Sequence, residues 1–471
     1  MSDLLQRIYD LSPTVVQNAM VTIENHRSLR RRRQGAYSRW RQFFAYTEYL
    51  PHAELTRLQN KRLQEFLTFA IQNSPWHRAR LLHVDPFRIS VENLASLPMM
   101  SKEDLRSNAE TIATLPRHEA YVAKTGGTTG AALEVLYRWD DFQERTAMLD
   151  HFRGRFIRTA QPRTAWFSGK ALVPQASSQT SYWRTNWLDR IRYYSTFHIN
   201  SDTVEAYLED LRRFRPHVMV GFPSSMIEIA RCAELRGLRF DGSLEAIFPT
   251  AETVDDDARE LLRRFYGCGV FDQYASSEGA PFITECPSGN LHLEPLTGVF
   301  EILDDRQRPA REGELVVTAF GTRGTPLIRY RIEDRVVASE EGCTCGRSTP
   351  VIERIDGRPN DFVFSPVNGR INLGNISNSV KGVHGIKKFQ IVQSVPDKIL
   401  VILAIDREHY TENDERILIR NLRDRLGEAM SIDIEHKDDI SRERSGKHRI
   451  VKNMLNQDDL DRMLLQTRNI S

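Results

Sequence analysis

The chain has 471 residues, of which 40% are apolar and 27% charged, and its formal net charge is +2 at pH 7. Because domains usually contain about 100–200 residues, we expect several folded units. The small net charge gives no global reason to expect nucleic acid or an anionic membrane as a partner. No run approaches the ~18 consecutive apolar residues of a membrane-spanning helix, and the N-terminus lacks an apolar signal core, so we expect a cytoplasmic protein.

The first ~90 residues are predicted to form helices that cap the first part of the fold. Between Glu54 and Gln72, apolar residues recur at helical spacing, which predicts an amphipathic helix. The basic run Arg30–Arg33 admits two interpretations, a solvated segment and a binding patch. Its position near a terminus favours the solvated segment.

A hydroxyl- and glycine-rich loop follows, between strand-like runs at Tyr121–Lys124 and Leu133–Tyr137. The candidate phosphate-binding residues in it are Thr125, Gly126, Gly127, Thr128, Thr129 and Gly130. Glycines let the backbone curl around an anion, and the threonines add donors. The loop is not a Walker A motif, which requires Gly-Lys-Ser/Thr leading into a helix. An ordinary hairpin turn has a similar composition, so the loop alone leaves both interpretations open.

Helices and strands alternate from Thr203 onwards, with predicted strands at His217–Val220, Leu244–Phe248 and Gly269–Tyr274. This alternation predicts an α/β fold with a mainly parallel sheet that is covered on both faces. Because ligands bind at the carboxyl ends of such strands, Tyr274–Glu278 is predicted to lie at a binding edge. The segment 291–337 then shows short strands with glycine turns, which predicts a small β-rich subdomain that supports Asp334.

A second unit is predicted over residues 358–471, after a first domain over 1–357. Its elements are a hairpin of Lys388–Gln393 and Ile399–Ile405, a helix capped by Thr411 with Asp414, and a strand at Ser431–His436. This order predicts a small, ferredoxin-like α+β domain. Leu418, Leu422 and Leu426 form an apolar stripe on the helix, which we interpret as core.

Five cysteines in a chain of this length do not form a disulfide framework. Cys232 and Cys268 resemble small buried apolar residues. The remaining three, with one histidine, make a set of sulfur and nitrogen donors that would suit a tetrahedral zinc ion: Cys286, His292, Cys343 and Cys345. Their spacing is not that of a standard zinc finger, so unlinked surface thiols remain the alternative.

Four further motifs follow the loop in a fixed order: Gln273–Gly279, Leu327–Asp334, Ile355–Arg358 and Ser445–Lys447. With the loop, they resemble the adenylate-forming (ANL) superfamily, and more narrowly its phenylacetate-CoA ligase and CapK-like branch. Each motif is weak alone, but five in sequence order are specific. The resemblance extends from about Ile8–Pro13 to Lys447.

The resemblance implies an enzyme that activates a carboxylic acid with ATP to form acyl-AMP and then makes a thioester with CoA. The 1–357 domain would hold ATP and the acid, and the 358–471 domain would be a mobile lid. The loop would bind the phosphates, Glu278 would bind Mg²⁺, and Lys447 would bridge the substrate carboxylate and the α-phosphate. The remaining ATP-binding residues implied by the motifs are Ala251, Glu252, Tyr274, Ser277, Asp334 and Arg358. Relatives of this type also carry the Cys/His set as a structural Zn²⁺ site.

Two features depart from the resembled pattern. Ala131 and Ala132 stand where many relatives place a lysine or arginine, so Lys124 becomes a candidate cation, and the hinge falls on Asn360 or Asp361. Aromatic and arginine residues between Trp166 and Tyr194 would suit an acyl pocket, an interface or ordinary packing, so the sequence does not identify the acid.

Other functions compatible with the motifs are transfer of the acyl group or of AMP to an acceptor other than CoA, as in capsular polysaccharide biosynthesis, and a catalytically silent, zinc-stabilised assembly protein. The motifs leave a homodimer open.

Overall fold

The computed structural model describes residues 8–124, 134–168, 172–173, 181–196, 198–199, 202–251, 254, 256–357, 362–367, 369–372, 376, 379–380, 383–440 and 450–455. These residues form two compact units, one that ends at Gly357 and one that contains the described residues from Phe362 onwards. Among the residues described, no helix is both long enough and apolar enough to cross a membrane.

Helices dominate the start of the first unit, as predicted. They are α1 (Thr14–Arg32), α2 (Tyr37–Thr47), α3 (His52–Asn73), α4 (Pro75–Arg80), α5 (Lys102–Ser107) and α6 (Ala109–Ile112), with 3₁₀ turns at Pro86–Arg88 and Leu94–Ser96. The apolar stripe of α3 is confirmed, because Leu63, Leu67 and Ala70 are fully buried. Helix α5 begins with a capping box, in which Ser101 and Asp104 satisfy each other's backbone amides.

A two-stranded hairpin carries the candidate phosphate loop. Strands β1 (Tyr121–Lys124) and β2 (Glu134–Tyr137) pair antiparallel, with Lys124 opposite Glu134. The helix α7 (Trp139–Gly154) follows directly. The loop residues between the two strands lie outside the described part of the chain, but the pairing of its two ends agrees with the predicted strands.

The predicted parallel sheet is confirmed, with six strands in the order β4-β5-β3-β6-β7-β8. The strands are β3 (Thr164–Ser168), β4 (Trp183–Asn186), β5 (Ile191–Ser195), β6 (Val218–Gly221), β7 (Ala246–Pro249) and β8 (Gly269–Val270). The helices are α8 (Val204–Phe214), α9 (Pro223–Leu235) and α10 (Asp256–Tyr266). All pairs are parallel except β4 with β5. Every residue of β6 and β7 is buried, as expected for central strands of a sheet covered on both faces.

The predicted strand Gly269–Tyr274 is wrong as a single element, because the chain changes sheets within it. The amide of Phe271 still donates to the carbonyl of Ile247 beside β8, at 2.9 Å. The next amide, of Asp272, donates instead to the Glu285 carboxylate at 2.7 Å, and β9 (Gln273–Tyr274) then pairs antiparallel with the second sheet. Glu278 therefore does not follow a strand of the parallel sheet.

The second sheet is the predicted β-rich subdomain, and its seven antiparallel strands have the order β12-β13-β14-β15-β11-β10-β9. Beyond β9 they are β10 (Ile283–Glu285), β11 (Leu291–Leu293), β12 (Gly298–Leu303), β13 (Glu312–Ala319), β14 (Leu327–Ala338) and β15 (Val351–Gly357), with a 3₁₀ turn at Pro295–Thr297. Asp334 lies on β14, which is longer than the short strands that the sequence suggested.

The second unit has the predicted order of strand, strand, helix and strand. Its elements are β16 (Phe362–Ser365), β17 (Gly369–Asn372), β18 (Ile386–Val395), β19 (Lys398–Ile405), α11 (Glu412–Leu426), β20 (Ser431–Lys437) and β21 (Val451–Asn453). The main sheet has the order β20-β19-β18-β21, and β19 pairs directly and in parallel with β20. The Thr411–Asp414 capping box is confirmed. So is the core stripe, since Leu418, Leu422 and Leu426 are fully buried.

Candidate functional site

One apolar core supports most of the described site elements. The buried residues of this core come from α5 and the segment before it, the β1–β2 hairpin, the turn after Glu278, and strands β10 and β14. They are Met100, Leu105, Val135, Tyr137, Ala280, Ile283, Tyr330 and Ile332. Tyr274 packs against the same cluster. The base of the candidate phosphate loop and two motif segments that are far apart in sequence therefore share one rigid support.

The turn that carries Glu278 has a tightly defined backbone. The hydroxyl oxygen of Ser276 accepts hydrogen bonds from the amides of Gly279 at 3.2 Å and Ala280 at 3.1 Å. Gly279 has a φ of +109°, and a Cβ there would lie 2.6 Å from the Tyr137 hydroxyl oxygen. Only glycine fits this combination of dihedral angle and space. The backbone next to Glu278 is thus closely constrained, and Glu278 itself is only 8% exposed.

Tyr137 of the hairpin and Arg145 of α7 hold the same turn through its backbone. The Tyr137 hydroxyl donates to the backbone carbonyl of Ser277 at 3.1 Å. The Nη1 atom of Arg145 donates to the carbonyls of Gly279 at 2.8 Å and Ala280 at 3.0 Å. This hydrogen bond uses the backbone of Ser277, so the predicted role of Ser277 in ATP binding stays a prediction.

Asp334 and Tyr274 meet across 60 residues of sequence, because the Tyr274 hydroxyl donates to Asp334 Oδ2 at 2.7 Å. Both side chains are partly buried. An ionised carboxylate offers several lone pairs, so Asp334 can accept hydrogen bonds from more than one hydroxyl group. The structure thereby places a multiple acceptor beside an aromatic ring, an arrangement that suits a ribose next to a stacked base.

Lys102, at the start of α5, is a site residue that the sequence did not indicate. Its Nζ lies 3.3 Å from Glu333 Oε2 and 3.9 Å from Glu278 Oε1. Met100, two residues earlier, is hydrogen-bonded to the backbone of β14, and this pairing brings Lys102 to the motif strand. Glu333 has a φ of +70°, which is unfavourable for a side chain of its size. No local motif marks Lys102, since its position depends on a contact over more than 200 residues.

Ala251 also has a left-handed backbone, with a φ of +66° just beyond β7. The amide of Thr250 donates to the carbonyl of Gly221 at 2.9 Å, which continues the parallel pairing of β6 and β7 up to this point. Strain of this kind at the carboxyl end of a parallel strand is typical of binding segments. The base-binding role predicted for Ala251 stays a prediction.

The four predicted metal ligands come together, with their donor atoms all within 4.8 Å of one another. Cys286 Sγ lies 3.6 Å from Cys343 Sγ, and Cys345 Sγ lies 3.5 Å from His292 Nε2. Tetrahedral zinc with bonds of about 2.3 Å to sulfur and 2.0–2.1 Å to nitrogen requires edges of about 3.8 Å and 3.6 Å. The donor set and its spacing therefore fit zinc, with no coordination position left for a substrate.

The surroundings of the cluster favour metal ligation. Burial, and then the charge of Arg347, lower the pKa of His292 to about 4, so the imidazole is neutral as a ligand must be. His292 Nδ1 lies 2.8 Å from Thr349 Oγ1, which orients the ring. Burial alone would raise the pKa of the Cys343 thiol, but hydrogen bonds from the Cys345 amide and from Asn290 lower it.

A buried ion-pair network lies behind the cluster and ties it to the N-terminal helices. Arg347 contacts Glu294 at 2.7 Å, and Arg155, directly after α7, lies 3.5 Å from the same carboxylate. Arg155 also contacts Glu48 at 2.6 Å, and His151 lies 3.2 Å from Glu48. Because these charges are buried and mutually paired, removal of one partner would leave the others uncompensated. The ion pairs behind the Cys/His cluster therefore extend to the end of α2 and to α7.

The arginines among the aromatic residues of the six-stranded sheet have packing partners. Arg184 is fully buried and donates to the Gln17 side chain at 2.5 Å. Arg192 forms an ion pair with Asp210 at 2.6 Å, and the Tyr194 hydroxyl donates to the other oxygen of Asp210. Of the three interpretations of this region, ordinary packing accounts for these side chains.

Several predicted residues lie outside the described part of the chain, and their roles stay predictions. They are Thr125, Gly126, Gly127, Thr128, Thr129, Gly130, Glu252, Arg358 and Lys447, together with the hinge residues Asn360 and Asp361 and the side chain of Lys124.

Comparison with known proteins identifies the family. The CapK C-terminal domain model matches residues 363–454. Protein CapK of Staphylococcus aureus is 31% identical over 457 residues, which cover 96% of this chain and 99% of CapK. The phenylacetate-coenzyme A ligase of Thermus thermophilus is 27% identical over 340 residues, 67% of this chain and 73% of that enzyme.

Among solved structures, 2-hydroxyisobutyryl-CoA ligase in complex with 2-HIB-AMP and CoA matches with a TM-score of 0.60 and 20% identity, covering 90% of this chain and 94% of that one. This likeness shows a shared fold. Together with the near full-length similarity to CapK, these matches show that the chain belongs to the phenylacetate-CoA ligase and CapK-like family of adenylate-forming enzymes.

Proposed function

We propose that this protein activates a carboxylic acid with ATP to form acyl-AMP and pyrophosphate, and then transfers the acyl group to CoA. The observation that carries the proposal is the hydrogen bond between Tyr274 and Asp334, on a core that also supports the Glu278 turn and the hairpin of the candidate phosphate loop. An aromatic ring, a multiple acceptor and a buried carboxylate are the groups needed for a base, a ribose and a magnesium-bound triphosphate.

In the first half-reaction, a carboxylate oxygen of the acid attacks the α-phosphorus of ATP, and the bond to the bridging oxygen of pyrophosphate breaks. Negative charge accumulates in the transition state, so amide donors and cations must face it. The backbone amides of residues 125–130 would bind the phosphates, and Lys447 would contact the α-phosphate and the acid. Glu278 would hold Mg²⁺, which supplies positive charge to the phosphates.

In the second half-reaction, the thiol of CoA attacks the acyl carbon and AMP leaves. Asp334 and Arg358 would keep the ribose in place during both steps. We further propose that the 358–471 domain acts as a lid, which brings Lys447 to the site for adenylation and removes it afterwards. Support for CoA as acceptor comes from relatives: the Thermus thermophilus and Pseudomonas putida enzymes are phenylacetate-CoA ligases, and 2-hydroxyisobutyryl-CoA ligase binds CoA.

We also propose that Cys286, His292, Cys343 and Cys345 hold one structural Zn²⁺. The distances and the neutral imidazole described above support this assignment. With four protein ligands, the ion would stabilise the fold and take no part in the chemistry.

A second acceptor class has an observation in its favour. The similarity to CapK covers 96% of this chain, whereas the similarity to phenylacetate-CoA ligases covers about two thirds of it, 66–67%. The CapK C-terminal domain model matches the second unit. As the lid, this unit would help to select the acceptor. The alternative is therefore adenylation followed by transfer of the acyl group or AMP to an amine or hydroxyl of a sugar or carrier, as in capsular polysaccharide biosynthesis.

The test is acid-dependent ATP–pyrophosphate exchange over a panel of aryl, short aliphatic and hydroxy acids, with Glu278→Gln as the negative control. Exchange that requires an acid and is abolished in the folded variant supports adenylation. The active acids are then incubated with ATP, with and without CoA, and thioester is measured. Exchange without thioester would favour the second acceptor class, and no exchange with any acid would contradict adenylation.

A further inference from the structure

Arg145 is a buried cation next to the Glu278 turn. It is 9% exposed, and its guanidinium donates to the backbone carbonyls of Gly279 and Ala280. The guanidinium carbon lies 4.5 Å from the centre of the Phe282 ring. Within the part of the chain that the structure describes, no carboxylate forms an ion pair with it. Buried arginines are normally paired with acids, because removing the charge from water is costly.

The two carbonyls alone do not explain an arginine at this position. A neutral amide side chain can donate to two carbonyl oxygens without the desolvation cost of a charge. The Phe282 and Tyr137 rings attract the positive charge only weakly compared with a carboxylate. A bound anion would give Arg145 the charged partner that buried arginines normally have.

The position of Arg145 identifies where that anion would lie. Its guanidinium carbon is 5.8 Å from the centre of the Tyr137 ring, at the end of β2, and it contacts the turn directly after Glu278. Burial raises the pKa of Tyr137 to about 12. The positive charge of Arg145 lowers this pKa, and the negative charge of Glu278 raises it. Arg145 thus lies between the Glu278 turn and the hairpin that carries the candidate phosphate loop.

The loop itself has no positively charged residue. Residues 125–133 are threonine, glycine, alanine and leucine, so their amides and hydroxyls are uncharged donors. A triphosphate bound there needs positive charge from elsewhere in the fold as well as from its metal ion.

We propose that Arg145 is a positioning residue of the nucleotide site, whose fixed charge attracts the triphosphate while its hydrogen bonds hold the Glu278 turn. This inference rests on the proposed function. Part of the positive charge that binds the phosphates would then come from α7 and not from the phosphate loop.

The test compares Arg145→Gln, which keeps donors for the carbonyls but loses the charge, with Arg145→Lys, which keeps the charge. Affinities for MgATP and for adenosine, which has the same base and sugar without phosphates, are measured by calorimetry. We expect Arg145→Gln to bind MgATP at least about ten-fold more weakly and adenosine within about two-fold of the native protein. Arg145→Lys should bind MgATP within about three-fold of the native protein.

Arg213→Gln is the matched control, since it removes one positive charge from the exposed surface of α8. Equal losses for ATP and adenosine in Arg145→Gln would show a purely structural role and overturn the inference, as would unchanged ATP binding. If Arg145→Gln does not fold, a ten-fold loss in folded Arg145→Lys overturns it. If the native protein does not bind MgATP, the proposed function itself is overturned. If the native protein binds MgATP and Arg145→Gln binds it equally well, only the inference about Arg145 is overturned.

Discussion

Replacement of Asp334 by asparagine is a direct test of the ribose site, because it preserves the shape of the side chain and removes its charge. In the structure, Asp334 Oδ2 accepts a hydrogen bond of 2.7 Å from Tyr274, and the carboxylate would accept both ribose hydroxyls in the complex. An asparagine side chain has one acceptor oxygen instead of two, and its amide nitrogen would face a hydroxyl as a donor.

The magnitude follows from the number of charge-assisted bonds. A hydrogen bond to a charged group contributes about 1.5–3 kcal/mol, and two bonds to one carboxylate are not additive, so we expect a loss of about 2–4 kcal/mol. This corresponds to a decrease of about 30- to 1,000-fold in kcat/KM for ATP. Because the sugar is held in both half-reactions, acyl-AMP formation and its consumption should both be slower.

The assay is ATP–pyrophosphate exchange at varied ATP, with Asp305→Asn as the control for loss of an acidic side chain, since that of Asp305 is 92% exposed in the same unit. Tyr274→Phe should cost less, about 0.5–1.5 kcal/mol, because it removes one neutral donor and leaves the ring. Its effect should shrink when Asp334 is already replaced. An unchanged kcat/KM for ATP in folded Asp334→Asn would remove Asp334 from the site.

Three further results are expected. Purified protein should contain close to one zinc per chain, and Cys343→Ser should lower its melting temperature, because a closed four-ligand site contributes folding energy; metal-free protein of unchanged stability, prepared without chelator, would exclude the site. Burial lowers the pKa of His77 to about 4, below the 6.5 of an unfolded histidine, so its stabilising contribution is complete above pH 6.5 and decreases as the pH falls towards 4. Between pH 7 and pH 5 it should account for a loss of about 2 kcal/mol in the free energy of unfolding; an equal loss in His77→Gln, measured by urea unfolding, would contradict this. Lys102→Met should change the Mg²⁺ concentration needed for half-maximal exchange, because Glu278 and Glu333 lose their shared cation. The control is Lys61→Met, which removes a lysine from an exposed ion pair on α3. The same Mg²⁺ requirement in both variants would contradict a role of Lys102 at the site.

Elements whose determinants are local could be predicted from the sequence. The Thr411–Asp414 capping box and the leucine stripe of α11 depend on residues three or four positions apart, and the structure has both. The central strands β6 and β7 were recognisable because complete burial gives continuous apolar runs between helices. The approach of the four Cys and His side chains was predicted from residue type and from the resemblance, since zinc ligands form a small chemical class.

Features that depend on the choice of a distant partner could not be predicted. No glycine or proline interrupts the run from Val270 to Tyr274, so the sequence does not show that its second half pairs with β10 instead of β7. Lys102 and Arg145 were missed for a related reason. A lysine at the first position of a short helix and an arginine inside a long one are ordinary surface residues by local pattern.

These two cations resolve an electrostatic problem in the candidate site. Glu278, Glu333 and Asp334 place three carboxylates on the turn and strand that would face ATP, which itself carries several negative charges. Carboxylates so close to phosphates would oppose binding unless cations separate them. Lys102 lies between two of the carboxylates, and Arg145 holds the turn of one of them through its backbone carbonyls. A magnesium ion on Glu278 would complete the compensation, so binding of ATP and of the metal should each strengthen the other, and ATP alone should bind weakly.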